Sequence, residues 1–488
     1  MAFKEIQNQS VEKDGGNNHK PDLDYIFHPR SIAFAGISSD SFGPGAMLMG
    51  SVIASGFQGE IYAVHPRGGE VMGRTCYPTL KDIPGPVDHV VVSIPARYTP
   101  QLVEDCVAKG VKTVAFFTAG FSETGEEEGN RLEREIIQRA HSGGVRLIGP
   151  NCMGIYCPSS GLSINPGMPI ESGPLGFICQ SGGNTIHGVS QGAARGVYFS
   201  KAVSYGNACD INEVDLLNYF ADDVDTKIIT AYMEGSKQGQ RFSTALRNAA
   251  QSKPVIVLKG GRTEAGAATA ASHTGSLACS LGVWSALLRQ SGVIEVDTLE
   301  EMIDATLPFL CENPPKGPNA GIIGIGGGAS VIAADECIQG GLLVPRFPKD
   351  RREMLKECNT DAGNIFNNPI DTQSFMIGVD EFYKTVRIVA DWDGIDFLLL
   401  QVAFEEVMVE TGMTSMFIQT MIDAAKASGK PTVIALHSAT SAKGWQAIHE
   451  GKQKCMDAGI PIFYSVKSAS YAVSRYLRYQ SYRSNGAY

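Results

Sequence analysis

Ser31-Ile32-Ala33-Phe34-Ala35-Gly36-Ile37-Ser38-Ser39-Asp40-Ser41-Phe42-Gly43-Pro44-Gly45-Ala46 reads as an apolar strand, a turn of glycines and hydroxyls, and the start of a helix. Short apolar runs of this kind, separated by amphipathic segments about one helix long, recur to the C-terminus. Such alternation implies crossover connections and parallel strands with helices on both faces. Runs at 60–64, 88–94, 112–117 and 145–148 complete a first unit. A second series occupies 175–179, 197–203, 227–232 and 254–258. Cys311-Glu312-Asn313-Pro314-Pro315-Lys316-Gly317-Pro318 then reads as a linker. A third series follows at 320–325, 396–401, 431–436 and 461–464. The expected architecture is therefore α/β: three consecutive doubly wound parallel-sheet domains at 24–155, 156–312 and 313–488, behind a flexible N-terminus at 1–23.

Composition bounds the function. A chain of 488 residues exceeds what one core supports, and 43% hydrophobic with 19% charged residues is enough to fill several. The net charge is -10 and the basic residues are scattered, which argues against a nucleic-acid or anionic-membrane partner. No apolar run reaches the roughly 18 residues of a spanning helix, and the polar start has no signal core. The 11 cysteines lack paired C-x-x-C spacing and often sit in apolar runs such as Gly176-Phe177-Ile178-Cys179. They read as reduced core thiols rather than disulfides or metal ligands, and the expected compartment is the cytoplasm.

The turn after the first strand offers backbone N–H groups at a helix N-terminus, an arrangement suited to phosphate. Its spacing is not G-x-G-x-x-G. The second strand ends in Val64-His65-Pro66-Arg67 rather than in an acid that would hold a ribose diol. Arg67 suits an additional phosphate, which points to a phosphorylated adenosine such as coenzyme A and away from an NAD(P)-dependent oxidoreductase. Gly429-Lys430-Pro431 imitates part of a P-loop but places Pro where a metal-binding hydroxyl is required. His273 ends a stretch of small residues that begins at Gly260, giving an imidazole room for a bulky, charged adduct. On its own, a His in such a loop is more often an ordinary surface residue.

Other stretches change that reading. Gly149-Pro150-Asn151-Cys152-Met153-Gly154, Gln180-Ser181-Gly182-Gly183, Tyr205-Gly206-Asn207-Ala208-Cys209-Asp210, Tyr232-Met233-Glu234-Gly235, Lys259-Gly260-Gly261 and Ser272-His273-Thr274-Gly275 stand in a fixed order. In that order and spacing the chain resembles the α subunit of the NDP-forming acyl-CoA synthetases, the ADP-forming acetate–CoA ligases related to succinyl-CoA synthetase. The resemblance runs from about 24 to about 480, with Gly326-Gly327-Gly328 and Asn368-Pro369-Ile370-Asp371 in the third unit. It implies a Rossmann-like CoA-binding domain followed by two flavodoxin-like domains of the succinyl-CoA synthetase type.

The resemblance also implies a relay in which acyl-CoA and phosphate give an acyl phosphate, a histidine takes the phosphoryl group, and ADP accepts it. His273 would be the phosphohistidine and Glu234 the carboxylate that fixes its tautomer and stabilises its charge. Ser181, Gly182 and Gly183 would bind the phosphoryl group at a helix N-terminus, with Gly326, Gly327 and Gly328 as a second such end and no metal at that point. The positions matching the CoA site are Ser38, Ser39, Gly43, Pro66, Arg67, Ile94, Pro95, Thr118, Asn151 and Cys152. No base neighbours Cys152 in sequence, so a packing role is expected for it. Cys179, Cys209 and Cys279 depart from the family pattern and put the shape of the substrate pocket in doubt. The Gly-rich loops leave no stretch free for an ATP-grasp module, so a separate ATP-grasp β subunit carrying ATP or ADP and Mg2+ is implied, in an α2β2 assembly. A non-catalytic CoA-binding regulator on the same scaffold is the competing expectation. The organic acid is not readable from the chain.

Overall fold

The opening strand, Ser31–Ala35, pairs in parallel with Glu60–Val64 on one side and His89–Val92 on the other. All its residues are buried, as expected of a parallel strand covered on both faces. The computed structural model describes residues 23–37, 43–274, 280–358, 365–372, 379–402, 413–437 and 441–484. Their strands form three sheets of seven, six and six strands.

The first sheet is ordered Gly69–Val71, Arg74–Tyr77, Glu60–Val64, Ser31–Ala35, His89–Val92, Thr113–Phe116, Arg146–Ile148. Leaving aside the antiparallel Gly69–Val71, the chain visits the third, second, first, fourth, fifth and sixth strands across the sheet, the Rossmann order. The second sheet runs Ile294–Val296, Val255–Lys259, Ile228–Met233, Leu175–Cys179, Phe199–Ser204, Gly154–Tyr156. The third runs Ile365–Phe366, Ile370–Asp371, Ala320–Gly324, Phe397–Val402, Thr432–Leu436, Ile462–Phe463. Counted along the chain, the parallel strands of both have the flavodoxin order of second, first, third, fourth, fifth. In each, an antiparallel strand flanks the second parallel one.

Those edge strands are the ones that hydrophobic periodicity does not reveal. Gly69–Val71 is short and mostly exposed, and Ile365–Phe366 has only two residues, so neither shows an apolar run. Gly154–Tyr156 is fully buried but spans the expected junction between the first two domains, and it pairs with Phe199–Ser204 in the second sheet.

Two of the core clusters cross domain boundaries. Leu23, Ile26 and Phe27 precede the first strand yet join a cluster with Leu216, Leu217 and Phe220 of the second domain. The Phe27 ring stacks on Tyr219 at 5.0 Å between centroids. The C-terminal helix Val466–Ser484 contributes Val466, Ala469, Ala472 and Val473 to a cluster that also holds Phe177, Met302 and Phe397. Arg195 of the second domain lies over the Tyr464 ring of the third at 4.0 Å. No described helix is long and apolar enough to cross a membrane.

His89 opens a central strand of the first sheet, 4% exposed, with Nδ1 unpartnered among the described residues. Burial lowers its pKa to about 4, and a backbone hydrogen bond with Thr113 offsets only part of that shift. The unfolded chain therefore takes up a proton at this site below its ordinary pKa, while the folded chain resists until about pH 4. Stability should fall as pH drops through that window, by up to roughly 3 kcal/mol from this group. His89→Leu should flatten that part of the pH dependence in urea titrations collected between pH 7 and 4.

Candidate active site

The carboxyl ends of the strands in the first sheet face the start of a helix in the second domain, and a cavity of about 630 Å³ lies between them. Its first wall is the crevice beside the opening strand, where sheet order reverses and open α/β sheets bind ligands. Two glycines allow that wall to form. Gly36 has φ +95°, and a Cβ there would lie 2.7 Å from the Ser93 carbonyl oxygen. A Cβ on Gly45 would lie 2.5 Å from Ser93 Oγ. Helix Pro44–Ala54 consequently starts against the end of strand His89–Val92, with Gly43 as its N-cap.

Ile94, Pro95, Thr118, Asn151 and Cys152 line the cavity. The Thr118 hydroxyl donates to the Ile94 carbonyl at 2.7 Å, and the Asn151 N–H donates to the Thr118 carbonyl at 3.0 Å. These bonds tie successive strand ends together. Asn151 has φ +56°, a left-handed conformation that Asn tolerates better than most residues. Ser38 and Ser39 lie outside the described residues. Pro66 and Arg67 are exposed in the turn after the second strand and do not line the cavity.

The opposite wall is Gln180, Ser181, Gly182 and Gly183, at the mouth of helix Gly182–Ala194. Ser181 caps the helix, its Oγ accepting from the Asn184 N–H at 3.3 Å. Gly182 must be small, since a Cβ would lie 2.6 Å from Met153 Cγ, whereas nothing stands within 4 Å of a Cβ on Gly183. A helix N-terminus that opens into a cavity favours an anion through its unpaired N–H groups and dipole.

Glu234 stands behind that wall. Its N–H donates to Gln180 Oε1 at 2.8 Å, and its carboxylate Oε1 accepts from the Tyr232 hydroxyl at 3.2 Å. Burial, then Glu234 itself, raises the Tyr232 pKa, so the phenol stays a donor. Glu234 Oε2 is buried with no partner among the described residues. Lys259 Nζ donates to the Glu234 carbonyl at 2.6 Å. Gly260 keeps the space open, because a Cβ there would meet the Tyr232 hydroxyl at 2.5 Å.

The run from Gly260 to Gly275, read as a loop, is helical from Glu264 to Thr274. Its alanines are the strongest helix formers, and Thr263 caps it by accepting from the Gly266 N–H at 3.1 Å. His273 is the penultimate residue of this helix; its side chain lies outside the described residues. The helix approaches the turn Ser122–Thr124 of the first domain. Gly326, Gly327 and Gly328 start helix Gly327–Gln339 but do not line the cavity. The Gly326 N–H donates to Asp371 Oδ1 at 2.7 Å.

A CoA-binding domain model matches residues 30–158, and a succinyl-CoA ligase like flavodoxin domain model matches 172–309. The α subunit of an ADP-forming acetate–CoA ligase II from Pyrococcus furiosus is 36% identical over 92% of this chain and 97% of its own length. An ADP-forming acetate–CoA ligase I from Archaeoglobus fulgidus is 33% identical over 94% of this chain, which spans 64% of that relative's length. This chain belongs to the ADP-forming acyl-CoA synthetases. A solved member of that family, the dinucleotide forming acetyl-coenzyme A synthetase 1 of Ca. Korarchaeum cryptofilum in complex with phosphate and ADP, superposes with TM-score 0.80. It is 31% identical, over 95% of this chain and 98% of that one.

Relative to the positions expected from family motifs, the site adds Ser93, Phe117, Met153 and Gly206 to the cavity and Tyr232 to the Glu234 network. Tyr232 was available from the sequence, since residues two apart at a strand end project to the same side. Ser93 and Phe117 adjoin expected positions, and Met153 and Gly206 stand inside two of the quoted motifs, but nothing local shows that these positions share one cavity. Cys279 lies outside the described residues. Cys179 is buried, its Sγ bonding to the Ser181 carbonyl at 3.1 Å, so it supports the helix mouth from below.

Cys152 is 4% exposed, and its Sγ contacts the carbonyls of Phe116 at 3.5 Å and Ile148 at 3.6 Å. Burial pushes the thiol up to about 12, which leaves almost no thiolate at neutral pH. Iodoacetamide at pH 8 should leave Cys152 unmodified in the folded protein and label it after denaturation, as read by peptide mass spectrometry.

Proposed function

We propose that this chain is the CoA-binding, phosphorylated α subunit of an ADP-forming acyl-CoA synthetase, interconverting acid, CoA and ATP with acyl-CoA, ADP and phosphate. The observation that carries this reading is the single cavity shared by the strand ends of the CoA-binding domain and the helix mouth at Ser181–Gly183. A thioester held along the first wall would present its carbonyl to a phosphate held at the second. Attack by a phosphate oxygen forms the acyl phosphate and expels the CoA thiolate. A ring nitrogen of His273 then attacks phosphorus, the carboxylate leaves, and ADP later takes the phosphoryl group from the imidazole.

Glu234 suits the assisting role. One carboxylate oxygen is held by Tyr232 and the other is buried without a partner, placed to accept a ring N–H and stabilise the imidazolium-like charge. Across the cavity mouth, Gly183 leaves space for an oxyanion at the helix N-terminus. The ADP and Mg2+ belong in this reading to a separate ATP-grasp β subunit, within an α2β2 assembly in the cytoplasm. Glycines 326 to 328 would serve as a further phosphate-binding helix end, away from the CoA cavity. Arg67, exposed after the second strand, would meet the 3′-phosphate of CoA at the outer end of the ligand.

Incubation of the reconstituted enzyme with labelled ATP and Mg2+ should give an acid-labile, base-stable phosphoryl adduct on this chain, and His273→Ala should abolish it. Label surviving at the unsubstituted protein's level would overturn the assignment.

Arg67→Ala should weaken CoA more than dephospho-CoA. For an exposed charge-assisted contact the difference should be roughly 1 kcal/mol, measured by calorimetry. Equal losses would place the 3′-phosphate elsewhere.

A further inference from the structure

A second cavity, of about 440 Å³, lies on the seam between the second and third domains and shares no residue with the CoA cavity. One wall is a face of the C-terminal helix. Tyr471, Arg475, Arg478, Tyr479 and Tyr482 follow helical spacing there and turn the same side to the cavity. The other wall is the edge strand Ile294–Val296, with Arg289 from the helix before it and Arg262 from the turn after the neighbouring strand Val255–Lys259.

Four guanidinium groups thus meet in a chain of net charge -10. Two carboxylates share the lining: Asp297 pairs with Arg262, and Glu295 keeps its charge while its Oε1 accepts from the Ser285 hydroxyl at 2.8 Å, so the four arginines still outnumber the acids. Arg475 pairs with Glu301 at 2.7 Å. Arg289 and Arg478 have no ion-pair or side-chain hydrogen-bond partner among the described residues. Both side chains are exposed at the rim of the cavity, and desolvation, then the neighbouring Arg475, lowers the Arg478 pKa.

We propose that this cavity is a binding site for a phosphorylated anion. Planar guanidinium forks match phosphate oxygens in pairs, and Arg289 and Arg478 supply donors that no described side chain engages. Three tyrosines on the same helix face add apolar surface beside the arginines, so the phosphate chemistry belongs either to an inorganic polyphosphate or to a nucleotide. Arg262 stands immediately before Thr263, the cap of the helix that ends in Thr274. An anion that draws Arg262 away from Asp297 therefore acts at the base of the His273 helix.

The test uses the full chain with two probes, inorganic pyrophosphate and adenosine monophosphate, each titrated by calorimetry at physiological ionic strength. At least one probe should bind. Arg478→Gln and Arg289→Gln, both surface changes, should each weaken it by about tenfold while the melting temperature stays unchanged. Hydrogen exchange should slow at residues 292–297 and 471–482 on adding the probe. Tighter binding of adenosine monophosphate identifies a nucleotide site, and tighter binding of pyrophosphate an inorganic one. Failure of both probes to bind, or binding that both variants leave intact, would overturn the proposal.

Discussion

Asp210 holds the first two domains in the arrangement on which the site depends. Its carboxylate accepts from Arg146 Nε at 2.9 Å and from the Leu147 N–H at 2.8 Å, at the last strand of the first sheet. The preceding turn closes over Pro150: the Asn207 N–H donates to the Pro150 carbonyl at 3.0 Å. Gly206 permits this approach, since a Cβ would lie 2.1 Å from the Pro150 oxygen. Because the charged contact is largely shielded and doubled by backbone hydrogen bonds, it fixes geometry where an exposed ion pair would contribute little. Without that clamp, the helix mouth at Ser181–Gly183 would not face the strand ends of the CoA-binding domain.

Behind the helix mouth lies a second polar layer. Gln180 is 7% exposed; its N–H donates to the Tyr232 carbonyl at 3.0 Å while its side chain accepts from the Glu234 N–H. The strand end that carries Glu234 is thereby locked to the strand end that carries Ser181. A carboxylate with one oxygen satisfied and one left buried is costly unless a partner arrives. That unpaired oxygen, rather than the glutamate's position in a motif, is what distinguishes Glu234 from a solvated strand-end acid.

The two flavodoxin-ordered sheets share a topology down to the antiparallel strand beside the second parallel one, yet only the first of them meets the CoA-binding domain through its helix mouth. The third domain instead packs along the C-terminal helix, whose Ala469 and Ala472 join a core cluster shared with the second domain. The polar side of that helix lines the arginine cavity, so a single element both joins the domains and furnishes a charged surface between them.

The sequence alone determined the α/β class, the principal parallel strands and the order of the motifs, because buried parallel strands are continuous apolar runs and glycine-rich turns follow them. Through the family that its ordered motifs resemble, it also pointed to Glu234, His273 and the helix mouth; composition alone singled out only the small-residue run before His273. It did not reveal the helix over Glu264–Thr274, where glycines at the start obscured the propensity of the alanines that follow. Short edge strands were invisible for the same local reason: two or three residues give no period. Tertiary structure decided which loops share a cavity. It brought Ser93, Met153 and Gly206 together, left Arg67 and the glycines at 326 to 328 outside, and buried the Cys152 thiol. Those outcomes rest on contacts between residues far apart in the chain, where packing and desolvation act and local sequence carries no record of them.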